Sequence, residues 1–224
     1  WVYRNNTDRN ETLVGNGWED SYWVGFSPTG TLRFIPNGGG YVETNTTVYA
    51  EEWTHVAVTY NGQVRSFYIN GALDKTSNVS PGPIPGNPGT ELGIGFDSDP
   101  FTGNYFDGVI DEVRIWNVVR TPADIQAGMF QAFSAPLPAG LIGYWRLDGD
   151  ATDETGDHDG TTHGGLGALS WVNDGGLPKD IRIPLVNTVP SLDGQCSPTE
   201  YANAISVSVE GKIVTLQHTD TDLW

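Results

Sequence analysis

The segment from Trp53 to Asp74 constrains the fold more than any other. Trp53–Tyr60 alternates apolar and polar side chains, the period of two that a half-buried strand requires; Asn61-Gly62 follows, and Val64–Ile69 returns. Asn-Gly takes positive φ more readily than almost any dipeptide, so the chain must double back as an antiparallel hairpin. A second pair, Asn70-Gly71, closes another turn at once. Turns this closely spaced belong to antiparallel sheets, because a parallel pair needs a crossover of a dozen residues or so between its strands.

The same punctuation runs along much of the chain. Short alternating segments are expected as strands at Ser21–Phe26, Thr31–Ile35, Tyr41–Thr44, Val48–Ala50, Glu91–Phe96, Gly108–Trp116, Leu141–Leu147 and Gly160–Trp171. With 29 Gly, 14 Pro and 8 Trp in 224 residues, composition also favours a turn-rich β-sandwich over a helical protein. An acidic pair, Asp111 and Glu112, interrupts the Gly108–Trp116 strand. Residues 78–89 hold four prolines and three glycines and are expected as an irregular loop and a candidate binding rim. One helix is expected, with Thr121 as N-cap, Pro122 at N1 and Asp124 at N3, running to about Met129.

Charge and length exclude several functions. The 11 Lys and Arg against 28 Asp and Glu give a formal charge of −17, which repels a phosphate backbone, so nucleic acid is not an expected partner. No run approaches the roughly 18–20 apolar residues that a membrane-spanning helix needs. A single cysteine, Cys196, precludes an intrachain disulfide framework.

Carboxylates cluster in two places. Asp148–Asp159 holds six acids in twelve residues, and carboxylates packed without a cation repel one another. Asp148, Asp150, Asp153, Asp157 and Asp159 are therefore candidate ligands of calcium, which takes 6–8 oxygens; the alternative is a solvated acidic loop. Asp97, Asp99 and Asp107 flank a Gly/aromatic loop and form a possible second metal site, with Tyr105 beside them as a ligand-binding candidate; the alternative is an ordinary turn. Among the other aromatics, Trp18 and Trp23, near Gly15-Asn16-Gly17, are the expected surface platforms for a sugar ring, whereas Trp53, Trp116 and Trp145 sit in strong strand patterns and are expected in the core.

Two stretches, EEWTHVAVTYNGQVRSFYINGALD (Glu51–Asp74) and FDGVIDEVRIWNVVRTPADIQAGM (Phe106–Met129), resemble the laminin-G-like, concanavalin A-like superfamily in order and spacing. Gly140–Gly165 and Leu169–Pro178 are similar to the tail that follows the helix in bacterial members. The resemblance implies an all-β fold, an antiparallel jelly-roll sandwich with one short helix, over residues 1–180. Trp1-Val2-Tyr3 is similar to an interior strand that earlier strands precede in the family, which implies a truncated start. It also implies that Asp111, the Asp of the IDEV strand, helps to bind a structural calcium, with Glu112 on the opposite face and a possible Arg partner. Residues 181–190 are expected as a linker, and 191–224 resemble the incomplete opening of a family-nine-type carbohydrate-binding domain.

Catalysis is not expected. Glycosidases on such a scaffold need two carboxylates on one strand face about 5–5.5 Å apart, and the chain has no E-x-D-x-x-E strand. His55, His158, His163 and His218 have no metal-ligand spacing, and none has a G-x-S-x-G nearby. The expected function is a calcium-stabilised glycan-binding or adhesion module of an extracellular or cell-surface protein. Its partners would be carbohydrate or surface protein, or neighbouring copies through open sheet edges. The alternatives are a structural spacer of a filament or adhesin stalk and a non-catalytic part of a glycoside hydrolase.

Overall fold

The computed structural model describes residues 1–162 apart from 6–7, 18–20, 37, 39, 79–81, 87–89 and 98–103, together with Trp171 and two strands at 207–209 and 212–214. The chain divides into two units, Trp1–Pro178 and Lys179–Trp224. In the first unit β1 (Val2–Arg4), β2 (Glu11–Gly15), β3 (Tyr22–Phe26), β4 (Thr31–Pro36) and β5 (Val42–Thr47) come first. They are followed by β6 (Trp53–Thr54), β7 (Val56–Tyr60), β8 (Val64–Ile69), β9 (Ala72–Asn78), β10 (Gly93–Ile94), β11 (Gly108–Ile110) and β12 (Val113–Trp116). Helix α1 (Pro122–Gly128) and β13 (Leu141–Trp145) are the last of its described elements. In the second unit β14 (Val207–Val209) pairs antiparallel with β15 (Lys212–Val214). The family-nine-type segment otherwise lies outside the described residues, as does most of the strand expected at 160–171.

The first unit is a sandwich of antiparallel sheets. One layer has the order β10-β2-β3-β4-β5; the other is built from the groups β11-β1-β6, β12-β13 and β7-β8-β9. These groups run on from one another, since only His55 separates β6 from β7 and only Asp111 and Glu112 separate β11 from β12. Val2, Leu13, Phe26, Leu32, Phe34, Val48 and Phe67 are buried in one cluster drawn from both layers. Alternation sets this up: along β4, Leu32, Phe34 and Pro36 are buried while Thr31, Arg33 and Ile35 are half-exposed. Burying each large apolar side chain stabilises the fold by roughly 1.5–3 kcal/mol.

The two Asn-Gly pairs do different things. Asn70 and Gly71 both have positive φ, 49° and 75°, and join Ile69 directly to its partner Ala72 in a two-residue turn. At the other pair only Gly62 has positive φ, and the Asn61 carboxamide oxygen accepts from the N–H groups of Gln63 and Val64, so this hairpin has a wider loop. The helix begins as expected: Thr121 Oγ1 accepts from Asp124 N, and Asp124 Oδ2 accepts from Thr121 N at 3.0 Å, a reciprocal capping box.

Three expectations are corrected. Val48–Ala50 is not a strand; pairing ends at Thr47, after Asp74 has captured the N–H groups of Asn45 and Thr46. Gly108–Trp116 is two strands, because Glu112 adopts φ 54° and turns the chain from its β1 partner to its β13 partner. Trp23 is no surface platform: it is 4% exposed, its indole folded over Gly25 of its own strand, where a Cβ would lie 2.4 Å from the ring, and its Nε1 donates to Thr12 Oγ1.

Candidate functional site

One end of the sandwich is closed by a buried ion pair. β1 ends at Arg4, β2 begins at Glu11, and both side chains turn inward under the loops, where they are 4% and 0% exposed. Arg4 Nε and Nη2 donate to Glu11 Oε2 at 3.0 and 2.7 Å, and the other Glu11 oxygen accepts from the backbone N–H of Asp107 at 3.0 Å. Arg4 Nη1 donates to the carbonyl of Val48 at 2.8 Å, and the guanidinium carbon lies 4.5 Å from the centre of the Phe26 ring. Glu51 N donates to the Arg4 carbonyl. A planar guanidinium with donors on both sides suits this position, and every polar contact it makes joins a separate piece of chain.

Those pieces carry the exposed aromatics. Tyr49 follows Val48 and is 66% exposed; Tyr105 stands two residues before Asp107 and is 44% exposed. Beside Tyr49 is a recess of about 150 Å³ lined by Arg4, Pro28, Thr29, Gly30, Thr47 and Ala50. Gly30 is required there, since it has φ 81° and a Cβ would come 2.7 Å from the Val48 carbonyl. Beside Tyr105, Asn5 Nδ2 donates to Asp107 Oδ1 at 2.6 Å. An exposed ring face next to hydroxyl, amide and carbonyl groups on a rigid support presents the two elements that a sugar ring offers partners for, an apolar C–H face and a hydroxyl rim. Tyr49 and Tyr105 were both visible in the sequence as aromatics; the Arg4–Glu11 pair was not, because nothing local marks an Arg at a strand end as buried.

Among the described residues the expected metal ligands do not stand in one group. Trp18 and Asp99 lie outside the described residues. Asp97 is buried, with Oδ1 accepting from Gly17 N at 3.3 Å. Asp111 is buried where β11 gives way to β12, its backbone paired in both directions with Trp1. Its neighbour Glu112 is ion-paired to Arg114 and accepts from the Tyr144 hydroxyl at 2.6 Å. Burial, with that hydrogen bond added, pushes the Tyr144 hydroxyl up to about 12.

In the acidic turn, Asp148 pairs with Arg146 at 2.7 Å and Asp150 accepts from Thr152 N. Asp153, 1% exposed, accepts from the backbone of Tyr144, Thr155 and His158 and from the Thr155 hydroxyl, with His158 Nδ1 at 3.2 Å. Asp159 accepts from Asp153 N, and Asp157 is exposed. Among the described residues no three His, Cys, Asp or Glu side chains stand close enough to hold a metal ion.

The chain belongs to the concanavalin A-like lectin/glucanases superfamily, whose laminin-G-type model matches residues 1–126. Among solved structures it is similar to a candidate carbohydrate-binding protein from Bacteroides ovatus, with 25% identity and a TM-score of 0.60 over 69% of this chain. It spans 48% of that protein. Weaker likenesses are domain 4 of an extracellular arabinanase from Geobacillus stearothermophilus in complex with arabinotriose (20% identity, 57% of this chain and 62% of that one, TM-score 0.43) and an S-layer domain-containing protein from Clostridium thermocellum (22%, 57% and 65%, TM-score 0.29). Both superpose too loosely to inform the site. No curated protein matches the chain. No helix among the described residues is long and apolar enough to cross a membrane.

Proposed function

We propose that this chain is a non-catalytic carbohydrate-binding module of an extracellular or cell-surface protein, and that sugar docks on the rim held by Arg4 and Glu11, against Tyr49 and Tyr105. The observation that carries the reading is the pairing of exposed tyrosine faces with a polar recess on a buried ionic support. The likeness to the candidate carbohydrate-binding protein from Bacteroides ovatus supports the ligand class.

A glycan array followed by calorimetry on the best ligand tests it. Tyr49→Ala and Tyr105→Ala should each weaken binding by about tenfold or more, the loss of an aromatic anchor. Tyr41→Ala serves as the control: Tyr41 is also exposed, but it precedes β5 at the other end of that strand, stacked on Arg33, and its loss should leave affinity unchanged. Equal losses in all three variants would remove the rim from the account. No binding to any glycan would favour a structural spacer in an adhesin or filament.

Calcium is tested separately. Asp148 is neutralised by Arg146 and the Asp153 oxygens are filled by protein donors, so two of the six acids have compensation from the protein itself. Melting in calcium and in EDTA should give equal midpoints; a midpoint raised by calcium would return a bound ion to the proposal.

A further inference from the structure

The fixed charges around the rim are mostly negative. Asp107 stands two residues after Tyr105, Glu51 and Glu52 follow Tyr49 by two and three residues, and Asp8 lies in the loop between Arg4 and Glu11. Asp8 and Glu51 are exposed, and Asp107 is half-buried with its Oδ1 accepting from Asn5 Nδ2. Two arginines stand against these acids. Arg4 is buried, its charge is met by Glu11, and its Nε, Nη1 and Nη2 all donate inside the protein. Arg9 is exposed, and Asp8 next to it in the chain offsets its charge. The other cations of the first unit are committed elsewhere. Arg33, Arg114, Arg120 and Arg146 are ion-paired to Glu43, Glu112, Asp124 and Asp148, while Arg65 and Lys75 donate to backbone carbonyls. The potential over the rim is therefore negative.

Resting on the sugar site proposed above, we propose that the rim selects uncharged glycans and excludes chains that carry sulfate, uronate or sialic acid groups. A tyrosine face meets the apolar C–H surface of a pyranose, which a neutral sugar and its charged derivative share, so discrimination falls to the surrounding groups. A carboxylate accepts hydrogen bonds and donates none. Glu51 and Asp107 can therefore take the hydrogen of a sugar hydroxyl, whereas a sulfate or carboxylate on the ligand offers them only further acceptors and a like charge. A site built for an anion turns a guanidinium fork outward, and the guanidinium at the centre of this rim is turned inward onto Glu11. Selectivity then comes from repulsion of the wrong ligand as much as from contacts with the right one.

The test takes the best ligand of the glycan array and compares its sulfate ester with the acetate ester at the same hydroxyl, which controls for bulk. By calorimetry in about 0.01 M salt the sulfate ester should bind roughly tenfold or more weakly than the acetate. The ratio should shrink in about 0.15 M salt, where the screening length falls from about 30 Å to about 8 Å. It should shrink at low salt too in the double variant Asp8→Asn, Glu51→Gln. Equal affinity for the two esters would overturn the selectivity, as would a ratio that neither salt nor the double variant moves. A sulfate ester that binds more tightly and loses its advantage in Arg9→Gln would overturn it as well, with Arg9 as the receptor of the anion. Failure of the site itself looks different: no glycan bound, or binding that survives both Tyr49→Ala and Tyr105→Ala, would remove the rim and this selectivity with it.

Discussion

Glu11→Ala should cost the first unit about 3–5 kcal/mol, the loss expected when one partner of a buried ion pair is removed and the other is left charged in a dry site. Arg4 would keep its bond to the Val48 carbonyl and its place over Phe26, but two of its donors would lose their acceptor and the Asp107 N–H would lose its own. For a domain of this size such a loss lowers the melting temperature by roughly 10 °C. The pair need not be a net source of stability, since a well-packed apolar replacement of both partners is often neutral. The double variant Arg4→Met, Glu11→Leu should therefore be more stable than Glu11→Ala. What it should not recover is the rim: with the links to Val48 and Asp107 gone, Tyr49 and Tyr105 lose their common support, and glycan affinity should fall even where the melting temperature does not. A Glu11→Ala protein that melts within a degree or two of the parent would show that the end plug is held by other contacts.

Features written in neighbouring residues were legible in the sequence. Asn70-Gly71 and the Thr121–Asp124 box each specify a backbone conformation through their own side chains, so the turn and the helix start needed no tertiary context. The alternation of β4 and β7 likewise named the layer faces. Features set by distant partners were not legible. Glu112 adopts positive φ at a place where its carboxylate meets Arg114 and Tyr144, the latter 32 residues away, and no local rule predicts that β11 changes partner there. Trp23 looked exposed because glycines precede it; the glycine that matters is Gly25, two residues on, which leaves room for the ring to lie flat.

The carboxylate-rich turn shows the limit from the other side. Counting six acids measures a demand for compensation but does not name the protein groups that meet part of it, Arg146 for Asp148 and a set of hydroxyl and backbone donors for Asp153. The candidate site divides in the same way. Tyr105 and Asp107 could be singled out from sequence, but the strut that positions them joins β1, β2 and the loop after Thr47, a meeting decided by topology alone.

Asp153→Asn should destabilise the β13 end by about 2–4 kcal/mol near neutral pH and flatten the acid limb of the stability curve. The carboxylate takes donors from Tyr144 N, Thr155 N, the Thr155 hydroxyl and His158 N, and an amide replaces one accepting oxygen with an NH2 that can accept none of them. Leaving such donors unpaired costs about 1–3 kcal/mol each when they are buried. Burial by itself would raise the Asp153 carboxyl, but the bonds from Thr155, Tyr144 and His158 outweigh it and hold the group below its usual range. A folded value below the unfolded one gives stability that is full above about pH 4 and is lost as pH falls through the folded value.

His55 acts in a different window. Burial, reinforced by Arg114, lowers it to about 3 from 6.5, so the unfolded chain takes up a proton first and stability declines from pH 6.5 downward, by up to about 1.4 kcal/mol per pH unit. Urea unfolding between pH 7 and 2.5 separates the two. From pH 6.5 to 4.5 the parent and Asp153→Asn should lose stability in parallel, because His55 is present in both; below pH 4 the parent should fall more steeply. Curves that stay parallel to the lowest pH would mean that the Asp153 charge contributes nothing the amide cannot supply, and the acidic turn would then need another source of compensation.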